Sequence, residues 1–288
     1  MILRYSTIQL LRFPFSFFLM PVYFFALSQV PHIRWSHALI IFVILHLLVY
    51  PSSNGYNSYM DRDEGPIGGL KNPEQPTKQL LYASIAMDLL AVALGFQVHS
   101  LFALGTGIYI LMSRAYSYRG IRLKKYPVIG YLTVVIFQGA MVFALVWFGA
   151  SAEKSMAIPW LPAMAASALI GGFYPLTQVY QHEADDKDGV RTISMLLGLK
   201  GTFLFSGLIY TIAFACLFIY FRSEHRLAQF YVLTTLLLPV LVYFIGWARK
   251  VWIDKSASDF RHSMKMNVIA SLCTTTAFII LLIWNNIE

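Results

Sequence analysis

Residues 50–65 read YPSSNGYNSYMDRDEG and residues 174–189 read YPLTQVYQHEADDKDG. Laid over one another, the two stretches share Tyr50 with Tyr174, Pro51 with Pro175, Tyr56 with Tyr180, Asp61 with Asp185 and Gly65 with Gly189. Asn54 and Gln178, Asn57 and Gln181, and Glu64 and Asp188 match in chemistry. The common pattern, Y-P-x2-[NQ]-x-Y-[NQ]-x3-D-x2-[DE]-G, closes a long apolar run in each copy. Amides and carboxylates repeated at the ends of apolar runs point to a paired polar site, built twice by one chain.

What surrounds the copies sets the class. The chain is 58% hydrophobic and 12% charged, with 22 Phe and 17 Tyr, far from a soluble average. Nine apolar stretches lie near 7–29, 36–54, 78–98, 100–116, 127–150, 157–180, 197–221, 228–247 and 266–285. Each approaches the ~20 residues that a helix needs to cross a bilayer. The expectation is a single all-α integral membrane domain over residues 1–288, with nine transmembrane helices in a bundle. The copies sit four spans apart, an even number, so both keep one orientation. That predicts a duplicated four-helix unit, 1–120 and 121–250, with a final span in 251–288.

Orientation follows from the basic residues. Eighteen of the 22 Lys and Arg fall on the side holding the N-terminus and both motif copies, against Arg34, Lys154, Arg222 and Arg226 on the other. The positive-inside rule then places the motif loops in the cytoplasm of a multi-pass protein, with a bacterial cell membrane as the expected setting. The net charge of +8 is accordingly a topological signal. Basic residues and aromatics do not interleave as a nucleic-acid platform requires, so no nucleic-acid partner is expected. Cys216 and Cys273 both fall in spans, which indicates neither a disulfide framework nor a zinc site. The first apolar run lacks a small-residue cleavage site and contains Arg12, so it reads as a retained span.

Within each copy the polar positions recur at i, i+3 and i+7: Asn54, Asn57, Asp61 and Gln178, Gln181, Asp185. On a helix this spacing places them along one face, and the upstream Pro51 and Pro175 would kink it. Helix C-termini carry partial negative charge. Two such ends facing one cavity would make an oxygen-rich site for Mg²⁺. Eight of the fourteen acids gather here, Asp61, Asp63, Glu64, Glu74, Glu183, Asp185, Asp186 and Asp188, beside Arg62, Lys71, Lys187 and Arg191. A third segment, RAYSYRGIRLKKYP at 114–127, adds Arg119, Arg122, Lys124 and Lys125. Hard oxygen ligands next to cations are what a Mg²⁺–diphosphate needs.

These residues also carry a resemblance. NGYNSYMDRDEG resembles the first aspartate-rich motif of the UbiA superfamily of intramembrane prenyltransferases. QHEADDKDGVRTISMLLG is similar to the second motif, and AYSYRGIRLKK to the segment between spans 4 and 5. The resemblance covers essentially the whole chain and implies a bundle around a central cavity open to lipid. It implies Mg²⁺-dependent transfer of an isoprenyl group from a prenyl diphosphate to a lipophilic, usually aromatic, acceptor. Carried onto this sequence, Asn57, Asp61, Gln181 and Asp185 hold the metal. Arg62, Lys124, Lys187 and Arg191 bind the diphosphate. Asp61, Asp185 and Tyr116 are the expected catalytic residues, Tyr116 facing the developing allyl cation or the acceptor. The chain departs from the family pattern at Gly65 and at Gln181, where relatives place aspartates; amide-then-aspartate is its own rule.

Other residues invite simpler readings. Asp88, midway along the third span, is either functional or hydrogen-bonded to a neighbouring helix. Arg12 is read as snorkelling. His182 points about 100° away from Gln181 on a helix and is read as a bystander. His46 reads as a bundle histidine, and GPIGG at 65–69 as a mobile loop that closes over substrate. Two alternatives stay open: a terpene cyclase that needs no acceptor, and a transporter or lipid-binding protein on the same bundle. Transporter sites usually lie near the midplane, whereas these motifs lie at helix ends.

Overall fold

Helix α3, Lys78–Val98, shows how the residues build the fold. Its buried positions, Leu80, Ser84, Asp88, Ala91, Gly95 and Val98, recur at helical spacing and are mostly small, so neighbours approach closely. Leu89, Leu90 and Phe96 point the other way and are exposed. The same inversion runs through the molecule: Leu104, Leu204, Leu241 and Val242 are exposed too. In water such faces would be an aggregation hazard, and against lipid tails they are at rest.

The computed structural model describes residues 3–287. Its helices, in chain order, are α1 (Tyr5–Gln29), α2 (Trp35–Asp61), α3, α4 (Ser100–Ser117), α5 (Pro127–Ala150), α6 (Trp160–Phe173), the short α7 (His182–Lys187), α8 (Ile193–Ser223), α9 (Leu227–Ile253) and α10 (Phe260–Ile287). Among the described residues no strand forms beyond two isolated bridges, Ile33 with Ser151 and Ile67 with Leu70. Among the described residues seven helices, α1, α2, α3, α5, α8, α9 and α10, are long and apolar enough to cross a membrane. The stretches expected at 100–116 and 157–180 form α4, diluted by Gly, Ser, Thr and Arg114, and α6, which stops after 14 residues. At 1.5 Å per residue α6 spans about 21 Å, short of a ~30 Å hydrocarbon core.

Three aromatic rings mark the centre of the bundle. Phe25 of α1 stacks on Phe278 of α10 at 4.4 Å and meets Phe143 of α5 edge-on at 5.3 Å. His46 packs among Tyr23, Phe42 and Tyr50, with Nδ1 3.2 Å from the Ser16 carbonyl, as a bundle histidine should. On α2, Gly55 lets the motif helix lie directly on α3. A Cβ there would sit 2.8 Å from Ser84 Oγ and 3.0 Å from the Leu11 and Leu80 side chains. Gly55→Val is therefore expected to lower the stability of the purified protein by about 1–3 kcal/mol. An unchanged thermal midpoint would contradict this packing.

The two Tyr-Pro pairs fold differently. Before Tyr50-Pro51 the chain makes a π-helical turn, Val43–Val49, which accommodates the proline, and α2 runs on to Asp61. Before Tyr174-Pro175 the helix is α-helical to Phe173, then tightens into a 3₁₀ turn, Tyr174–Thr177. Residues 178–181 form a turn before α7. The expected continuous helical face of Gln178, Gln181 and Asp185 is therefore corrected: a break separates Gln178 from Asp185.

Candidate active site

The end of α2 delivers the first motif as its spacing predicts. Asn54, Asn57 and Asp61 share one face, and Arg62, at φ 55°, turns the chain out of the helix. Asn57 Nδ2 donates to Asp61 Oδ2 at 2.8 Å and to Ser117 Oγ of α4 at 3.0 Å. Lys124 Nζ donates to Asp61 Oδ2 at 2.5 Å, and Arg122 reaches Oδ1 at 3.5 Å. The Asp61 side chain is only 5% exposed. Its negative charge is held among donors in a place water barely reaches, where each such contact is stronger than at a surface.

The second motif reaches the same place despite its break. Gln181 N–H bonds back to the Gln178 carbonyl at 2.9 Å, and Asp185 N–H to the Gln181 carbonyl at 2.8 Å. The turn thus folds its polar side chains inward. Asn54, Asn57, Asp61, Asp63, Gln178, Gln181 and Asp185 all line one cavity of about 220 Å³, with Lys124, Arg12 and Tyr116. Tyr116 pairs hydroxyl to hydroxyl with Tyr174. Arg122 ties the halves together: it reaches Asp61 on one side and, on the other, both the Asp188 carboxylate and the Asp188 carbonyl, the latter at 3.1 Å. Arg119 repeats the bridge nearer the surface, from the Met60 carbonyl at 2.7 Å to Asp188 at 3.5 Å.

Electrostatically the cavity is short of positive charge. Burial, helped by the charges of Asp63, Asp61 and Asp188 and opposed by Lys124, pushes the Asp185 carboxyl up to about 7. Burial and the neighbouring Asp61 raise Asp63 as well. Carboxyls held up by burial and like charge in a cleft mark a candidate functional site. Among the described residues no group of three or more His, Cys, Asp or Glu stands in ligand geometry. Mg²⁺ takes one or two protein carboxylates and fills its remaining positions with water and substrate phosphates. The donor set fits such an ion: carboxylates and amide oxygens from both halves, facing one space.

Of the four basic residues expected at the diphosphate, the structure brings Lys124 to the cavity. Arg62, Lys187 and Arg191 are exposed and absent from its lining. Arg62 follows Asp61 in a left-handed conformation that aims it outward. Lys187 lies two residues, about 200° of helix, from Asp185 and pairs with Glu183 at 2.7 Å. Arg12, read as snorkelling, is buried instead. It donates to the Gly68 carbonyl at 3.1 Å and the Asn54 carbonyl at 3.3 Å, and lies over Phe15. The GPIGG segment is packed as a wall: Ile67 is buried and Gly68 lies against the Phe15 ring. His182 turns from the cavity to Ser194 Oγ at 2.7 Å, as its offset predicts. Arg122 was legible only as one of several basic residues in 114–127; nothing in its spacing singled it out.

An apolar cavity of about 370 Å³ lies alongside, between α1, α6, α8, α9 and α10, lined by Phe18, Phe25, Phe173, Phe214, Phe244 and Phe278 among others. Its lining begins where the polar one ends. Phe18 meets Phe15 at 5.0 Å, and Phe173 precedes Tyr174.

Comparison with known proteins adds lineage to geometry. The sequence model of the UbiA prenyltransferase family matches residues 16–269. No curated protein sequence matches. A UbiA homologue from Archaeoglobus fulgidus, solved with DMAPP and Mg²⁺, is similar at a TM-score of 0.70 and 19% identity, covering 96% of this chain and 99% of that one. The same homologue solved with GPP and Mg²⁺ gives 0.69 and 18% over the same shares. An apo UbiA homologue from Aeropyrum pernix K1 gives 0.70 and 19%, covering 93% and 98%. At these identities the structures speak for the fold.

Proposed function

The chain belongs to the UbiA prenyltransferase family, and we propose that it is an integral membrane enzyme transferring an isoprenyl group from a prenyl diphosphate to a hydrophobic, aromatic acceptor. The observation that carries this is the adjacency of two unlike cavities. One gathers Asp61, Asp63, Asp185, Asn57, Gln181 and Lys124 for a charged head; the other is walled by Phe for an apolar tail. The Archaeoglobus fulgidus homologue, bound to DMAPP or GPP with Mg²⁺, supports the same pairing of ligand and metal. We read all nine helices other than α7 as crossing the membrane in one domain, α6 together with the 3₁₀ turn Tyr174–Thr177 that lengthens it, with the duplicated units 1–120 and 121–250 and both motifs on the cytoplasmic side.

Asn57, Asp61, Gln181 and Asp185 would hold the magnesium ion, with Asp63 beside them. An ion held by these residues would supply positive charge against the departing diphosphate. The chain's own residues do the rest. Lys124 and, with a small shift, Arg122 turn from Asp61 toward the diphosphate and stabilise it as the carbon–oxygen bond breaks. Tyr116 and Tyr174 offer ring faces to the allylic cation. The Phe-lined wall keeps water from capturing that cation before the acceptor carbon does.

Membranes holding the protein are expected to release diphosphate from a prenyl diphosphate only when a divalent cation and an acceptor are both supplied. Release without an acceptor, with a cyclic product, would replace this reading with a cyclase. Saturable uptake by proteoliposomes, indifferent to Asp61 and Asp185, would replace it with a transporter. Chain length has its own test in Ala270, which lines the apolar cavity. Ala270→Phe is expected to raise KM for a long prenyl diphosphate by about tenfold while sparing a five-carbon one. Equal effects on both lengths would place the tail elsewhere.

A further inference from the structure

A second buried ion pair lies outside the polar cavity. Asp88 on α3 and Arg114 on α4 form an ion pair whose side chains are 12% and 15% exposed. Arg114 Nε donates to Asp88 Oδ2 at 3.0 Å, and Nη2 donates to the same oxygen. Ser52 of α2 donates to the other carboxylate oxygen. The guanidinium also reaches the Ser52 carbonyl and hydroxyl, each at 3.3 Å, and lies 4.1 Å above the Tyr56 ring. Three helices meet on one pair of charges.

From that pair a ladder of contacts climbs between α2 and α4 toward the site. Ser52 bonds Arg114, then Ser113 Oγ bonds Ser53 Oγ at 2.9 Å, then Asn57 Nδ2 bonds Ser117 Oγ at 3.0 Å. Asn57 in turn holds Asp61. Taking two ions out of water into an apolar bundle costs several kcal/mol per ion, and apolar residues of similar size would bind the helices as well or better. What a planar fork adds is direction. It is satisfied in one relative placement of its partners, where apolar surfaces tolerate many. A slip of one residue along α2 would turn its side chains by about 100° and carry them about 1.5 Å. Asn57 and Asp61 would then leave the cavity. In the second motif Tyr180, the counterpart of Tyr56, meets Phe260 edge-on at 5.3 Å.

We propose that Asp88 and Arg114, through Ser52, are positioning residues: they hold α2 in register with α4 so that Asn57 and Asp61 face the metal–diphosphate. The proposal rests on the function proposed above. Its test uses the full chain purified in detergent, with three readouts: melting without ligand or metal, binding of a non-hydrolysable prenyl diphosphate analogue with Mg²⁺, and steady-state turnover. The double variant Asp88→Leu/Arg114→Met removes both charges and leaves neither stranded. It is expected to melt at or above wild type yet bind the analogue about tenfold to a hundredfold more weakly, with KM rising more than kcat falls. Arg114→Lys keeps the charge without the fork and should fall between. A double variant that folds and binds like wild type overturns the positioning role. If the double variant melts early, Arg114→Lys decides at a temperature where it is folded, and wild-type binding there overturns the role. Failure of wild type to bind the analogue overturns the functional reading itself, and the positioning role with it.

Discussion

Asp61→Asn is expected to lower diphosphate release from a prenyl diphosphate by about a hundredfold or more, with the protein still folded. The substitution keeps shape and volume and removes one negative charge from a side chain that receives Asn57, Lys124 and Arg122 at once. Its neighbours keep part of their hold: the amide oxygen at the Oδ2 position still accepts from Asn57 and Lys124, the amide nitrogen no longer accepts from Arg122, and Arg122 keeps Asp188. What goes is the charge that would draw the metal to the first half of the site. Asp185→Asn should do the same from the second half. Its carboxyl is already pushed up to about 7 by burial and the surrounding acids, so neutralising it relieves repulsion and should, if anything, firm the resting fold. Turnover measured on purified protein with Mg²⁺ and an acceptor, alongside melting curves, separates the two effects. Retained turnover in both variants would sink the site assignment. Chelation of divalent cations should silence wild type to the same degree.

Arg122→Gln is expected to cost about 3 kcal/mol of stability, the scale seen when one partner of a buried pair is removed, and to reduce turnover as well. Arg122 joins the halves at the cavity rim, with its side chain 9% exposed between Asp61 and Asp188. A glutamine there removes the cation that spans the two carboxylates, leaving Asp61 to Lys124 and Asp188 to Arg119, which is half-exposed and 3.5 Å away. The loop from α4 to α5 should loosen, and Lys124 travels with it. Arg122→Lys should rescue only in part, because one ammonium does not span two carboxylates and a carbonyl. Thermal unfolding in detergent reads the first effect; turnover at a temperature where the variant is folded reads the second. A midpoint equal to wild type would mean that the bridge holds nothing.

The sequence made the class and much of the site legible. Apolar stretches separated by short polar loops exclude a water-soluble fold, because no arrangement buries so much apolar surface within one small domain. The doubled motif marked Asn57, Asp61, Gln181 and Asp185, and the structure sets all four around one cavity. Lys124 was likewise marked by its segment. Helical periodicity made those positions visible, since it is a local property that repeats every few residues. It worked for the first motif, where α2 is continuous, and failed for the second, where Tyr174-Pro175 unwinds α6.

Why one Tyr-Pro unwinds its helix and the other does not is not written in the dipeptide. The π turn at Val43–Val49 absorbs Pro51, and it stands in a helix packed against α3 and α5, whereas no such turn precedes Pro175. Long-range placement likewise decided the basic residues. Arg62, Lys187 and Arg191 neighbour the motifs in sequence and point outward. Arg12 and Arg122, 49 and 61 residues from Asp61, converge on it or beside it. Asp88 and Arg114 found each other in the same way. The chain's own order thus determined a membrane bundle and the acids and amides of the candidate site. Only the packed helices decided which cations serve those acids, because a charge buried away from water must take its partner from whatever side chain the bundle brings within a few ångströms, however distant along the chain.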